Sequence, residues 1–149
     1  MEEELTKSQI DDMLVIANSF CDITNFKNKS ILHYNNAHEL IAHIVNAAFS
    51  LEMCFKYLYS YNTHLRISGH ELKKLYNKAK TFGLENYLLT GFTKNEIEKI
   101  IAQLNDSFYE WRYSYELNKH LKVDLALMKD ILISVINYCN CIGKGECIC

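Results

Sequence analysis

Along most of this chain apolar residues recur every three to four positions, and no segment alternates convincingly at period two. The pattern predicts five helices. The first covers about residues 7–20, with Thr6 and Gln9 at capping-box spacing and a stripe of Ile10, Met13, Leu14, Ala17 and Phe20. A polar loop rich in Asn and Lys follows over about 22–35. The second helix is long, about 37–61, with Asn36 as N-cap and Glu39 three residues on. Its stripe is Leu40, Ile41, Ile44, Val45, Ala48, Leu51, Phe55 and Leu58.

A short third helix is expected over about 69–80, opened by a Ser68–Glu71 capping box and closed by Gly83. The fourth starts at Thr93 with Glu96 reaching back, and carries Ile97, Ile101, Leu104, Phe108, Trp111 and Tyr115 on one face. Asn105-Asp106-Ser107 marks a place where it can bend. The fifth, about 124–138, shows Leu125, Met128, Leu132, Val135, Ile136 and Cys139 in a stripe. Each helix has one wet side, so the expected fold is all-α, an antiparallel bundle of about five helices around one core.

Composition sharpens this picture in a few places. With no proline and five glycines, little interrupts a long helix. A chain of 149 residues, 49% hydrophobic and 23% charged, can bury a core without staples. No internal repeat or linker is visible, so a single domain over 1–138 and a Cys-rich C-terminal tail over 139–149 are expected. The net charge of −2 excludes a whole-molecule field for nucleic acid or anionic membrane; such contacts need a local patch. The acidic start, Met1-Glu2-Glu3-Glu4, is unlike a signal peptide, and no stretch approaches the length of a membrane span. The expectation is a soluble cytoplasmic protein with no membrane contact, its six cysteines reduced as free thiols or metal ligands. Lys, Asn, Ile and Tyr abound while Arg66 and Arg112 are the two arginines, a bias of AT-rich coding rather than of function.

Three segments carry candidate chemistry. Glu52 and Lys56 form an i,i+4 pair at the edge of the second helix's stripe, where an ordinary surface ion pair becomes part-buried. In Ser68-Gly69-His70-Glu71-Leu72 the cap occupies Ser68 and Glu71, leaving His70 in a helical first turn. There the helix dipole favours a neutral imidazole, for packing or for a site. Lys73, Lys74, Lys78 and Lys80 beside it make the most basic stretch, which a solvated face also explains. The third segment, Phe108-Tyr109-Glu110-Trp111-Arg112-Tyr113-Ser114-Tyr115-Glu116, contains the single tryptophan. Its Arg112 can pair with Glu116 one turn on, or clamp a carboxylate or phosphate with its planar fork. Aromatic helical faces of this kind are more often core than ligand platform.

In their order and spacing these segments resemble the HEPN family of small helical-bundle proteins, over about residues 37–138. The resemblance rests on the small-residue run into Glu52 and Lys56, on Gly69-His70-Glu71-Leu72, and on the 108–116 segment. It implies a HEPN-like bundle that pairs as a homodimer, often in toxin–antitoxin or phage-defence systems. Many members are metal-independent ribonucleases; others bind RNA, nucleotides or a cognate protein partner. Active members carry an arginine and a histidine separated by four to six residues. Here seven residues separate Arg112 from His120, about 12 Å of rise along an unbroken helix. That spacing argues against the family's ribonuclease chemistry.

The leading expectation is therefore a binding domain for RNA, a nucleotide or a partner, using Glu52, Lys56, His70, Arg112 and Glu116. Arg112 would clamp the anion, Glu116 and Glu52 would orient it, and His70 would donate at the edge. The alternatives are an endoribonuclease using Arg112 and His120, and a ligand-free dimeric assembly module whose polar cluster fixes helix register. No cofactor is expected, with one exception: Cys139, Cys141, Cys147 and Cys149 supply the four thiolates of a zinc site. Their Cys-x-Cys pairing is less typical of such sites than Cys-x-x-Cys, and a flexible thiol-bearing tail competes.

Overall fold

The computed structural model describes residues 3–26, 37–105 and 124–145. These residues form an all-helical structure of five rods. The first is α1, Lys7–Thr24, and the second α2, Ala37–Thr63. The third is composite: α3, Leu72–Ala79, runs through a π-helical turn, Lys80–Leu84, into the one-turn α4, Glu85–Leu88. Then come α5, Lys94–Asn105, and α6, Leu125–Gly143.

The start signals act as their chemistry dictates. Thr6 and Gln9 form a reciprocal capping box on α1. Thr93 and Glu96 do the same for α5, through bonds of 2.9 and 3.1 Å. Asp124 accepts from the Leu127 amide at 3.1 Å to open α6. α1 continues past Phe20 to Thr24 and closes at Asn25, whose left-handed φ of 56° suits the small polar side chain.

The core is organised around α2, which packs against α1, α3 and α6. Contacts with α1 run in reverse order along the two segments. The Phe20 and Phe49 rings stack at 5.0 Å, Ser50 Oγ donates to the Ala17 carbonyl at 2.7 Å, and the Leu5 amide donates to the His64 carbonyl at 2.8 Å. Burial on α2 is wider than the single expected stripe. Ala47, Cys54 and Tyr57 are as buried as Leu51, Phe55 and Leu58, because neighbours press on more than one side.

The C-terminal boundary is corrected. The final helix does not stop at Tyr138 and release a tail at Cys139; it runs through Cys139 and Cys141 to Gly143. Cys139 is fully buried, the next inward position after Leu132, Val135 and Ile136, and Ile142 also packs against the core. The extension corrects a second expectation. At 19 residues and a mean hydropathy of 1.4, α6 is long and apolar enough to cross a membrane by length and composition. Its buried face, Met128 to Cys139, is part of the core just described.

Gly83 breaks the helix as expected, but the chain then turns into α4, which periodicity did not reveal. Phe82 and Gly83 leave helical geometry, Gly83 at φ +88°, and Leu84 and Leu88 plunge into the core. Tyr138 Oη donates to the Phe82 carbonyl at 2.7 Å and holds the turn against α6. A Cβ on Gly83 would overlap that hydroxyl and force a side chain into positive φ. Gly83→Ala is expected to lower unfolding free energy by about 2 kcal/mol in urea titrations. Gly91→Ala, whose methyl would enter open space, should stay within about 0.5 kcal/mol of wild type. Equal midpoints for the two variants would mean the left-handed turn is dispensable.

Candidate functional site

Among the described residues the buried polar side chains are Thr24, Ser50, Glu52 and Ser60, and of these Glu52 alone ionises. The hydroxyls of Ser50 and Ser60 need little, each donating to a main-chain carbonyl. A carboxylate in the same apolar setting is a different matter, because its desolvation costs several kcal/mol unless opposite charge and hydrogen bonds meet it. Glu52 is 4% exposed and is met from two directions. Lys56, one turn along α2, brings Nζ within 3.4 Å of Oε2. His70, from the loop before α3, brings Nδ1 within 3.0 Å of Oε1. A carboxylate accepts from Nδ1, which puts the lone pair of the neutral ring on Nε2. The His70 side chain is 68% exposed, so a buried acid orients an imidazole that reaches solvent.

The loop that delivers His70 differs from the expected helix start. α3 begins at Leu72, and Ser68 does not cap it. Gly69, at φ +104°, turns the chain, and the Glu71 carboxylate pairs with Lys74 at 3.2 Å instead of reaching back. The cap comes from elsewhere: the Lys73 amide donates to Asn105 Oδ1 at 2.9 Å, from α5. His70 therefore precedes the helix rather than occupying its first turn. Direct contact with Glu52, not a helix dipole, is what orients it. Upstream, the loop is stitched down by Ser60 Oγ to the Leu65 carbonyl at 2.8 Å and by the Arg66 amide to the Glu3 carbonyl at 2.8 Å. Arg66 also pairs with the Glu3 carboxylate at 3.1 Å, in the open.

Three of the five expected ligand-binding residues, Glu52, Lys56 and His70, thus meet at one place. Arg112, Glu116 and His120 lie outside the described residues, as do Phe108, Trp111 and Tyr115 of the expected fourth-helix face. Cys147 and Cys149 lie outside them too. Cys139 and Cys141 are two residues apart on α6 and so point to opposite sides. Cys139 faces inward, its Sγ 3.8 Å from the Cys54 carbonyl. Burial pushes its thiol well above the usual range, and the Cys54 thiol adds to the shift. A metal takes the thiolate, so one zinc on both residues would require the last turn of α6 to unwind. Among the described residues no three His, Cys, Asp or Glu side chains are grouped to hold a metal ion.

Asn105 is the site-supporting residue that sequence reasoning missed. The sequence marks it as a point of bending, and nothing local separates a bend from a side chain that caps another helix. The chain matches no protein-family model, no curated protein and no solved structure.

Glu52→Ala would strand the Lys56 ammonium in a part-buried position and is expected to cost about 3 kcal/mol of stability. Glu3→Ala, which removes the exposed pair with Arg66, should leave the urea midpoint unchanged. If the two variants unfold alike, the Glu52 carboxylate is solvated and the cluster is not the constraint described.

Proposed function

We propose that this chain is a HEPN-like antiparallel bundle that binds phosphate-bearing ligands, RNA or nucleotides, at the surface where His70 emerges. One observation carries the proposal: the exposed imidazole of His70 is held through Nδ1 by the buried Glu52 carboxylate. Carrying a proton on Nε2 as well as on Nδ1, such an imidazole donates a charge-assisted bond to a phosphate oxygen, and little rotamer freedom remains to be lost on binding. Lys73, three residues on, adds positive charge at the start of α3, while Lys74 beside it is paired with Glu71 at 3.2 Å. Arg112 and Glu116 join the site in the resemblance to the family, as clamp and orienting acid.

A second reading has an observation of its own. Val15, Ile16 and Ile23 on α1 are 62%, 41% and 56% exposed, beside the Phe20–Phe49 stack, and such a patch suits a homodimeric assembly module.

Fluorescence anisotropy with a single-stranded oligoribonucleotide tests the proposal. Binding is expected at low salt, weakening linearly in log–log coordinates as salt rises. His70→Ala should reduce affinity by about fivefold to tenfold, on the scale of one charge-assisted bond. Intact RNA after long incubation without added metal fits a binder. Cleavage that disappears in Arg112→Ala and His120→Ala would instead establish the endoribonuclease. No binding at 50 mM salt or below, with a dimer dissociated by Ile16→Asp, would replace the proposal with the assembly module.

A further inference from the structure

Starting at Lys73, three residues after His70 in sequence, a cavity of about 270 Å³ opens between α3 and α5. Lys73, Tyr76, Asn77 and Lys80 line one wall, three of them at i, i+4 and i+7 along a single face. The facing wall is Glu98 with the apolar surface of Ile101 and Ala102. The volume lies just under the roughly 300–1,000 Å³ of small-molecule pockets, so it suits a single small ligand and not an extended cofactor.

The charges around this groove are unevenly committed. Lys74 is paired with Glu71 at 3.2 Å, Lys78 lies over the Tyr59 ring at 5.9 Å, and Lys80 is 3.6 Å from Glu85. Lys73 has no such partner among the described residues, and neither does Glu98 on the opposite wall. A cation and an anion thus flank one apolar-floored slot without neutralising each other. Tyr76 adds a hydroxyl that stays a donor: burial, then the nearby Glu85 and Glu98 carboxylates, push its pKa up to about 12. A bare polyphosphate does not suit the slot, because Glu98 would repel it. A purely cationic ligand meets the lysines. What fits is a molecule anionic at one end, planar in the middle and rich in N–H donors at the other.

We propose that the α3–α5 groove is a subsite for a single ribonucleotide whose base carries an exocyclic amino group, an inference that rests on the phosphate-binding function above and names its ligand. The phosphate pairs with Lys73, the base lies against Ile101 and Ala102, and its amino group donates to Glu98. Cytosine, adenine and guanine satisfy this arrangement. Uracil presents its one N–H between two carbonyl oxygens, which meet the carboxylate unfavourably.

Titration of the ¹⁵N-labelled full chain with CMP, UMP and inorganic phosphate, followed by amide chemical shifts, is the test. CMP is expected to give saturable shifts confined to residues 73–80 and 98–102, with UMP at least fivefold weaker. Glu98→Gln should bring the two nucleotides to within twofold of each other, and Lys73→Ala should weaken both. Both side chains are exposed, so the variants keep the fold. A six-nucleotide oligocytidylate binding tighter than CMP would assign the subsite to a strand, and equal affinity would assign it to free nucleotide; either supports it. Equal affinity of the wild type for CMP and UMP, or no saturable shift at 10 mM, would overturn it. The two proposals fail separately. RNA binding that depends on His70 but ignores Lys73→Ala removes the groove alone. CMP saturation in the groove with RNA affinity indifferent to His70→Ala removes the role of His70 alone.

Discussion

A single carboxylate placed inside an apolar helix interface governs the arrangement of everything around it. Glu52 sits on the most buried rod of the structure, where water does not offset its charge. Lys56 answers from one turn away, which any helix can arrange. The second answer must come from another part of the chain, and it comes from His70. That requirement fixes the path of residues 64–71: the loop is drawn over α2, turned at Gly69 and released into α3 only at Leu72. The same bond that satisfies the acid also aims the imidazole outward, so stability and presentation of a polar group arise from one contact.

Most of the scaffold was legible in the amino-acid pattern, since helical periodicity and side-chain caps are local. Thr6 and Thr93 announce their helices within four residues, and the structure bears them out. What the pattern did not reveal was set by tertiary contact. The boundary at Tyr138 failed because a stripe of cysteine and isoleucine continues it and the neighbouring helices cover it. α4 escaped notice because four residues are too few for periodicity, and Leu84 and Leu88 are held by burial rather than by propensity. The width of burial on α2 was likewise invisible, because Ala47, Cys54 and Tyr57 belong to no single stripe.

The candidate site was legible in part. Glu52 and Lys56 stood out because an ion pair at the edge of a stripe is a local signal. His70 was found for a different reason from the one that places it: the sequence suggested a helix dipole, and the structure supplies a carboxylate 18 positions away. Asn105, a supporting residue, had no local signal that distinguished a long-range cap from a bend. Such pairings depend on which helices come together, and spacing along a chain does not encode that.

The amide of Lys73 and the side chain of Asn105 have a consequence for how the molecule assembles. α3 has eight residues, too few to persist in water by itself, and the partner for its first turn belongs to a rod more than twenty positions downstream. The first turn of the segment that carries the lysines is therefore completed only when the later rod is in place, so the two walls of the groove depend on each other.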